Sequence, residues 1–401
     1  MDNGRVPMRI LVINCGSSSI KYKLFGRGAE ETLAVGVIEG IGGKRLTHRH
    51  RAADRRVTTE TEVGDYDQGV SRLVEALTEW GSPPPITDPA EIAAVGHRVV
   101  HGGDRFSEST VIDRAVIEAI ESLETLAPLH NPANLAGIRA ARELLPGAAG
   151  VAVFDTAFFS TLPPHAYRYA VPARWWEEFG VRRYGFHGIS HRYLAERAAL
   201  LLDKPRPNLV TLHLGAGASA CAVRDGQAVD TSMGMTPLEG LVMGTRSGDI
   251  DPAVVFHLLE SGLPASEIRQ GLERKGGLLG LSGDSPDFRR VSECARAGDP
   301  SASLAVETFV HRIRRYLGAF LVQAAPCDAV VFAGGIGENS HEVRQLVLAG
   351  LESLGLVVDG SRNRGNGERR ISTGRSTTDI WVIPTDEELL IARDTADLIH
   401  Q

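Results

Sequence analysis

The stretch Ile10-Leu11-Val12-Ile13-Asn14-Cys15-Gly16-Ser17-Ser18-Ser19-Ile20-Lys21-Tyr22-Lys23-Leu24 decides the fold. Ile10 to Ile13 form an apolar run that reads as a buried strand, and Asn14 to Ser19 read as a turn. Ile20, Tyr22 and Leu24 then alternate with polar or small residues, the pattern of a second, half-exposed strand. Two strands around a Gly/Ser turn make a β-hairpin, not a strand-to-helix turn. The same order recurs in the second half of the chain. Leu209-Val210-Thr211-Leu212-His213-Leu214 is a strand, Gly215-Ala216-Gly217-Ala218-Ser219 a loop, and Ala220 to Asp225-Gly226 a returning strand with its turn. We read an internal duplication, with one glycine hairpin opening each half.

Working outward, helical spacing of apolar residues runs over 115–126 and 135–145, the latter stopped by Pro146-Gly147. Residues 150–154 read as a strand ending at Asp155. Further helices are expected over 193–202, 252–261, 301–325, 341–354 and 387–399. Residues 328–333 form a buried strand running into Gly334-Gly335-Ile336-Gly337, and 381–383 a last strand. Strands alternating with helices make an α/β protein with two similar halves. Residues 1–7 read as an extension before a second methionine.

The chain has 401 residues, which at about 150 residues per domain implies two or three domains. With 43% hydrophobic and 23% charged residues it is an ordinary globular composition. No apolar run approaches the roughly 18 residues that span a bilayer, so no membrane role is expected. Four cysteines lie far apart without a Cys-x-x-Cys pair, which suggests neither zinc nor disulfides and points to a reducing cytoplasm. Net charge is −7, which argues against nucleic-acid binding. Two basic stretches, 44–56 and 362–375, the second with five arginines, lack interleaved stacking aromatics. They read as solvated hairpins and loops.

The usual nucleotide signatures, Gly-x-x-x-x-Gly-Lys-Ser/Thr and Gly-x-Gly-x-x-Gly, are absent, as are His-Glu-x-x-His and Gly-x-Ser-x-Gly. Three other phosphate-sized loops are present. Asn14 to Ser19 and Gly215 to Ser219 turn tightly enough for successive backbone N–H groups to form an anion nest. Gly334 to Asn339 follows a strand, where the missing side chains let a flat ring or phosphate approach. Three such loops in one chain point to a nucleotide.

Charged residues sit among glycines: Arg98 in Gly96-His97-Arg98-Val99-Val100-His101-Gly102-Gly103, and Arg246 in Gly244-Thr245-Arg246-Ser247-Gly248-Asp249. Each is a ligand arginine or half of a buried salt bridge. His187 in Tyr184-Gly185-Phe186-His187-Gly188 is a functional or a hydrogen-bonded core histidine. Asp155 ends a strand, where ligand-facing residues of α/β sheets gather; a helix cap is the alternative. Glu387 opens the last helix, where a carboxylate suits the helix dipole with or without a metal.

These segments resemble the acetate kinase family from about residue 8 to the end. The matching motifs are Val12 to Lys21, Gly96 to Gly103, Leu126-Ala127-Pro128-Leu129-His130-Asn131-Pro132, Phe154-Asp155-Thr156-Ala157-Phe158, Tyr184 to Gly188, Met233 to Asp251, Gly334 to Asn339 and Ile383 to Asp394. The resemblance implies two duplicated ribonuclease-H-like (actin-like ATPase) domains with an interdomain cleft, 1–155 with 388–401 and 156–387. It implies a cytoplasmic homodimer that uses ATP/ADP with Mg²⁺ (or Mn²⁺) and transfers phosphate reversibly from ATP to acetate, giving acetyl phosphate.

By the same resemblance, Asn14 and Glu387 serve the metal, and Lys21 lies near the nucleotide phosphates. His213, Leu214, Gly215, Ala216 and Gly217 line the nucleotide, as do Asp287, Phe288 and Arg289, and Gly335, Ile336, Gly337, Glu338 and Asn339. Arg98 binds the acid, Asp155, His187 and Arg246 serve the chemistry, and Val100, Leu129, Phe186 and Pro237 surround the methyl group. Two positions depart from the family. Ala216 replaces an asparagine, removing a side-chain donor near the phosphates. Asp386 replaces another, adding a carboxylate beside a metal ligand.

Acetate is ionised at pH 7, because carboxyl groups titrate near ~4. No general base is then needed, and Asp155 is expected to orient arginine or metal-bound water. The alternatives are a propionate or butyrate kinase, or an actin-like ATP-binding module with no small acid substrate.

Overall fold

The computed structural model describes residues 9–26, 29, 31–53, 55–62, 64–128 and 130–400. The expected extension at 1–7 and Leu129 of the expected methyl pocket lie outside the described residues. The chain divides into two units, Met1–Ala157 with Asp386–Gln401 and Phe158–Thr385.

In unit 1 the apolar run that opens the chain is strand β1 (Arg9–Gly16), with Ile10, Leu11 and Val12 wholly buried. It turns at Ser17-Ser18 into β2 (Ser19–Phe25), pairing antiparallel in the register Ile13↔Tyr22 and Gly16↔Ser19. Next come β3 (Thr32–Glu39), β4 (Arg45–Ala52), β5 (Arg55–Glu62), β6 (Ile92–Val99), β7 (Thr110–Val111) and β8 (Ala149–Phe154). They form one sheet in the order β5-β4-β3-β2-β1-β6-β8-β7. Unit 2 has β9 (Leu209–Leu214), β10 (Ala218–Arg224), β11 (Gln227–Thr231), β12 (Ala329–Ala333), β13 (Arg369–Arg370) and β14 (Asp379–Val382), in the order β11-β10-β9-β12-β14-β13.

The duplication lies in the strand order. β3-β2-β1-β6-β8 and β11-β10-β9-β12-β14 are the same five-stranded pattern. In each, the first three strands are antiparallel and the next two join in parallel. This is the ribonuclease-H-like arrangement that the family resemblance implies, and it agrees with the duplication read from the two hairpins.

Expected helices appear at Arg114–Ser122, Asn131–Leu144, Gly188–Leu201, Ala253–Glu260, Pro300–Gln323 and Glu387–Ile399. The helix expected over 341–354 ends at Leu348, because Ala349 leaves helical geometry and Gly350 follows at φ +73°. The basic stretch at 44–56, expected as a solvated hairpin, contributes to a hairpin of full ladder register, Arg45↔Glu62 to Ala52↔Arg55. A helix, Tyr66–Glu79, follows it, capped by the Asp65 side chain on the Gln68 N–H and burying Val70, Leu73 and Leu77.

That hairpin shelters a polar cluster. The Tyr22 hydroxyl bonds His48 Nε2 at 2.8 Å and His50 Nδ1 at 2.6 Å, and the His48 ring lies 4.7 Å from Trp80. Both histidines are buried, at 0% and 3% exposure. Burial pushes each down to about 4, and for His48 the neighbouring His50 and Arg72 add to it. Burial likewise holds His97 at about 3 and His101 at about 4.

The native state therefore keeps these rings neutral, while the unfolded chain protonates them near 6.5. Below that pH the unfolded state binds more protons, so stability falls as pH drops from 6.5 toward 4. We expect a loss of about 1.4 kcal/mol per pH unit for each such ring, read as a falling urea midpoint between pH 7.5 and pH 5. An unchanged midpoint would mean that the rings are already charged in the native protein.

Candidate active site

The parallel strands of unit 1 bring a charged group to their carboxyl ends. Arg98 comes from the end of β6 and Asp155 from just past β8. Arg98 Nη2 donates to Asp155 Oδ2 at 2.6 Å and Nε to Oδ1 at 3.2 Å, a two-pronged bond. Asp155 is 1% exposed, and the Arg98 side chain 19%. Nη1 reaches Asn14 Oδ1 at 3.5 Å, and Nε lies 3.8 Å from Glu387 Oε2. Of the two readings left open for Arg98, the structure shows the ion pair, with Nη1 directed to Asn14 rather than to Asp155. Asp155 caps no helix.

Four expected residues, Asn14, Arg98, Asp155 and Glu387, thus converge from three strands and a helix. Burial, opposed by Arg98 and reinforced by Asp155 and Glu388, pushes the Glu387 carboxyl up to about 7. For Arg98, burial works against the charge, but Asp155 and Glu387 more than offset it, so the guanidinium stays protonated. Lys21 and Glu388 line a depression beside this group.

Asp386 does not add a loose carboxylate. It is held by Lys23 Nζ at 2.9 and 3.1 Å and caps the last helix through the Leu389 N–H at 3.0 Å. Val100, 8% exposed, follows β6, and its N–H donates to Asn134 Oδ1 at 3.0 Å. Asn134 Nδ2 in turn donates to the Cys15 carbonyl at 2.7 Å, and Asn131 holds both backbone groups of His101. These two asparagines were missed. Two asparagines one turn apart at a helix start, in Asn131-Pro132-Ala133-Asn134, were the available signal.

Unit 2 gathers the second group. Gly215, Ala216, Pro286, Asp287, Phe288, Arg289, Gly335, Ile336 and Asn339 line one pocket of about 840 Å³, so three separate expected segments meet there. The pocket also takes in Ser292, Glu293, Arg296, Ser340, His341 and Glu342, which carried no sequence signal.

Some assignments change. Gly334 to Asn339 is itself a helical turn, not a loop. Gly334 opens it at φ +75°, and a Cβ there would sit 2.7 Å from the Leu214 carbonyl. The Glu338 carboxylate turns inward, accepting the Gly334 and Thr385 N–H groups. Leu214 and Gly337 are buried. The Gly215 N–H donates to the Gly217 carbonyl at 2.9 Å, which leaves Ala216 and Gly217 as the remaining N–H groups of that turn.

His187 stands in the left-handed region at φ 57°, just before the helix Gly188–Leu201. Its ring lies 4.5 Å from that of His213. Gly217 packs closely beside it: a Cβ there would sit 3.2 Å from His187 Cε1 and 4.0 Å from Arg246 Nη1. Arg246 Nη1 donates to the Pro237 carbonyl at 2.9 Å. Phe186 is 1% exposed and Pro237 half-buried.

A model of the acetokinase family matches residues 9–393. The chain belongs to the acetokinase family. The acetate kinase of Halothermothrix orenii is 49% identical over 401 residues, spanning 98% of this chain and 100% of that protein. The crystal structure of Porphyromonas gingivalis acetate kinase is 43% identical with a TM-score of 0.92, covering 98% of this chain and 100% of that one. A propionate kinase from Francisella tularensis is 41% identical, also at 0.92, over 97% and 99%.

In this acetokinase, the Arg98–Asp155 pair has a structural weight that can be measured. Removing one partner of a buried pair strands the other charge, at a cost of about 3 kcal/mol or more. Asp155→Ala is expected to lower unfolding stability by that amount in urea titration. A drop below about 1 kcal/mol would show that Glu387 takes over Arg98.

Proposed function

We propose that the chain is an ATP:acetate phosphotransferase, moving the γ-phosphoryl group reversibly to acetate to give acetyl phosphate and ADP. The observation that carries this reading is Arg98. It is a guanidinium gripped on one edge by buried Asp155, with apolar Val100 two residues on. A module that only bound or hydrolysed ATP would have no use for a cation prepared beside an apolar contact.

Unit 1 is assigned the acid. Asp155 holds Arg98 in one orientation, and Arg98 neutralises the carboxylate. Arginine suits the task because its planar fork stays charged and binds two oxygens at once. The incoming carboxylate is already ionised, so it attacks phosphorus in line with no base, and Asp155 serves to orient Arg98.

Unit 2 is assigned the nucleotide, with the sugar and base in the pocket lined by Asp287, Phe288, Arg289, Gly335, Ile336 and Asn339. The Ala216 and Gly217 N–H groups face the phosphates, and His187 and Arg246 stabilise charge on the transferring group. Such transfer depends on positioning and charge stabilisation rather than on covalent chemistry.

Asn14 and Glu387 fit a hard divalent cation. Both present oxygen, and the carboxylates of Asp155, Glu387 and Glu388 gather around Arg98 and Lys21. Among the described residues no group of three His, Cys, Asp or Glu side chains is arranged to hold a metal. Mg²⁺ would be held by the Asn14 and Glu387 oxygens with waters and phosphate completing its shell, since it usually keeps several waters and few protein ligands. When bound, it supplies charge neutralisation at the phosphate oxygens.

The Francisella relative keeps propionate as the second reading, because one methylene in an apolar pocket discriminates by only about 1–3 kcal/mol. The test is acetate-dependent ADP release, with the product trapped as hydroxamate, compared across acetate, propionate and butyrate. Arg98→Ala and Arg246→Ala are each expected to lower kcat/KM by about 10²–10³-fold, the usual worth of one donor aimed at developing charge. Activity within threefold of wild type would remove that residue from the site.

We also propose a homodimer in a reducing cytoplasm. Support for the location is that all four cysteines are free. No helix among the described residues is long and apolar enough to cross a membrane. Support for the dimer is the helix Ala253–Glu260, which buries none of its residues while Val254, Phe256 and Leu259 are 41%, 63% and 41% exposed. A cluster of this kind marks an interaction surface. Phe256→Glu is expected to convert the sedimenting species from dimer to monomer; an unchanged dimer would place the interface elsewhere.

A further inference from the structure

Behind His187 runs a chain of hydrogen bonds within unit 2 that none of its assigned roles explains. His187 Nδ1 meets Ser219 Oγ at 2.9 Å. The same Oγ meets His191 Nε2 at 2.8 Å, and His191 Nδ1 meets Thr211 Oγ1 at 2.7 Å. Ser219, His191 and Thr211 are each 0% exposed. Ser219 lies on β10 opposite His213 of β9, and His191 one helical turn after His187 on Gly188–Leu201. Two strands and a helix therefore converge on one hydroxyl.

We infer that Ser219 and His191 are positioning residues that fix the tautomer of His187, so that its Nε2 carries the proton toward the transferring phosphoryl group. This rests on the function proposed above. The reasoning is proton arithmetic. A serine hydroxyl has one hydrogen, and with these two rings as the partners of Ser219 Oγ that hydrogen goes to one ring while the oxygen accepts from the other. Burial, with His213 adding to it, holds His191 far below the ordinary histidine range, so it is neutral and has a single N–H.

One direction of the chain leaves a neutral His187 with an N–H at Nε2. Thr211 donates to His191 Nδ1, His191 Nε2–H donates to Ser219, and Ser219 donates to His187 Nδ1. The opposite direction protonates Nδ1 and turns a lone pair toward an anionic group. The ring's orientation is held as well, by His213 at 4.5 Å and by the close approach of Gly217. Cε1 and Nε2 form the ring edge on that Gly217 side, 3.2 and 3.3 Å from where a Cβ would sit, and Arg246 Nη1 lies 4.0 Å from the same point.

The test combines a measurement without activity and one with it. Long-range ¹H–¹⁵N spectra of the histidine-labelled full-length protein at pH 7.5 are expected to show His187 and His191 both protonated at Nε2. Ser219→Ala should release His187 to a mixture of tautomers. It should lower kcat about 10- to 100-fold, as small misplacements at a reacting centre do, with KM for acetate and ATP within threefold. Ser219→Thr, which keeps the hydroxyl, should recover most of that loss.

A wild-type His187 protonated at Nδ1, or a Ser219→Ala variant with unchanged kcat, would overturn the inference. If the wild-type protein transferred no phosphate to any short-chain acid, the functional reading would fall, while the tautomer spectra would still decide the relay. If Ser219→Ala did not fold, the wild-type spectrum and Ser219→Thr would decide it.

Discussion

A reaction that joins two anions needs cations at its centre, and a buried cation needs a carboxylate to hold it there. Under the proposed function, the Arg98–Asp155 pair answers both demands in unit 1. Asp155 is almost wholly buried and grips one edge of the guanidinium. Both residues sit at the carboxyl ends of adjacent parallel strands, where side chains clear the ladder and the sheet's own groups no longer compete for them. Asn14 enters from the neighbouring strand, and Glu387 from the helix that packs against the same strands. The pair is thus a consequence of the β3-β2-β1-β6-β8 strand order, and that order is what the rest of unit 1 supports.

Unit 2 uses the same order for a different purpose. Its hairpin loop, Gly215 to Gly217, and its strand-to-helix junction at Gly334 lie at the equivalent ends of β9 and β12. In place of a buried ion pair it has a pocket edged by backbone and a histidine steadied from behind. A Cβ at Gly334 would sit 2.7 Å from the Leu214 carbonyl oxygen, and one at Gly217 would press on the His187 ring at 3.2 Å. Duplication supplied one scaffold, and the side chains at the strand ends differ between its two copies.

Histidine is used in two ways in this chain. The Tyr22–His48–His50 cluster and His97 are neutral by burial and serve packing, at the cost of stability in acid. His187 is half-buried and backed by hydroxyls that set which nitrogen carries its proton. The chemistry of the ring is the same in both cases; solvent access and the identity of the hydrogen-bond partner separate the roles.

The sequence by itself determined the α/β class, the two hairpins, most helices and the residues that converge in each unit. Those signals are local: alternation, helical period, and glycine or proline at fixed places. The acetate kinase motifs named the residues as a set. Only the tertiary structure decided what depends on distant partners. It showed that Arg98 is half of an ion pair with a residue 57 positions away. It showed that Asp386 is neutralised by Lys23, that Glu338 faces inward, and that 334–339 coil into a helical turn. It also decided that the basic stretch pairs as edge strands and that Ser219 stands between two histidines. Local pattern fixes which conformations a segment prefers, whereas the partner of a charge or a hydroxyl is fixed by which strands the fold sets side by side.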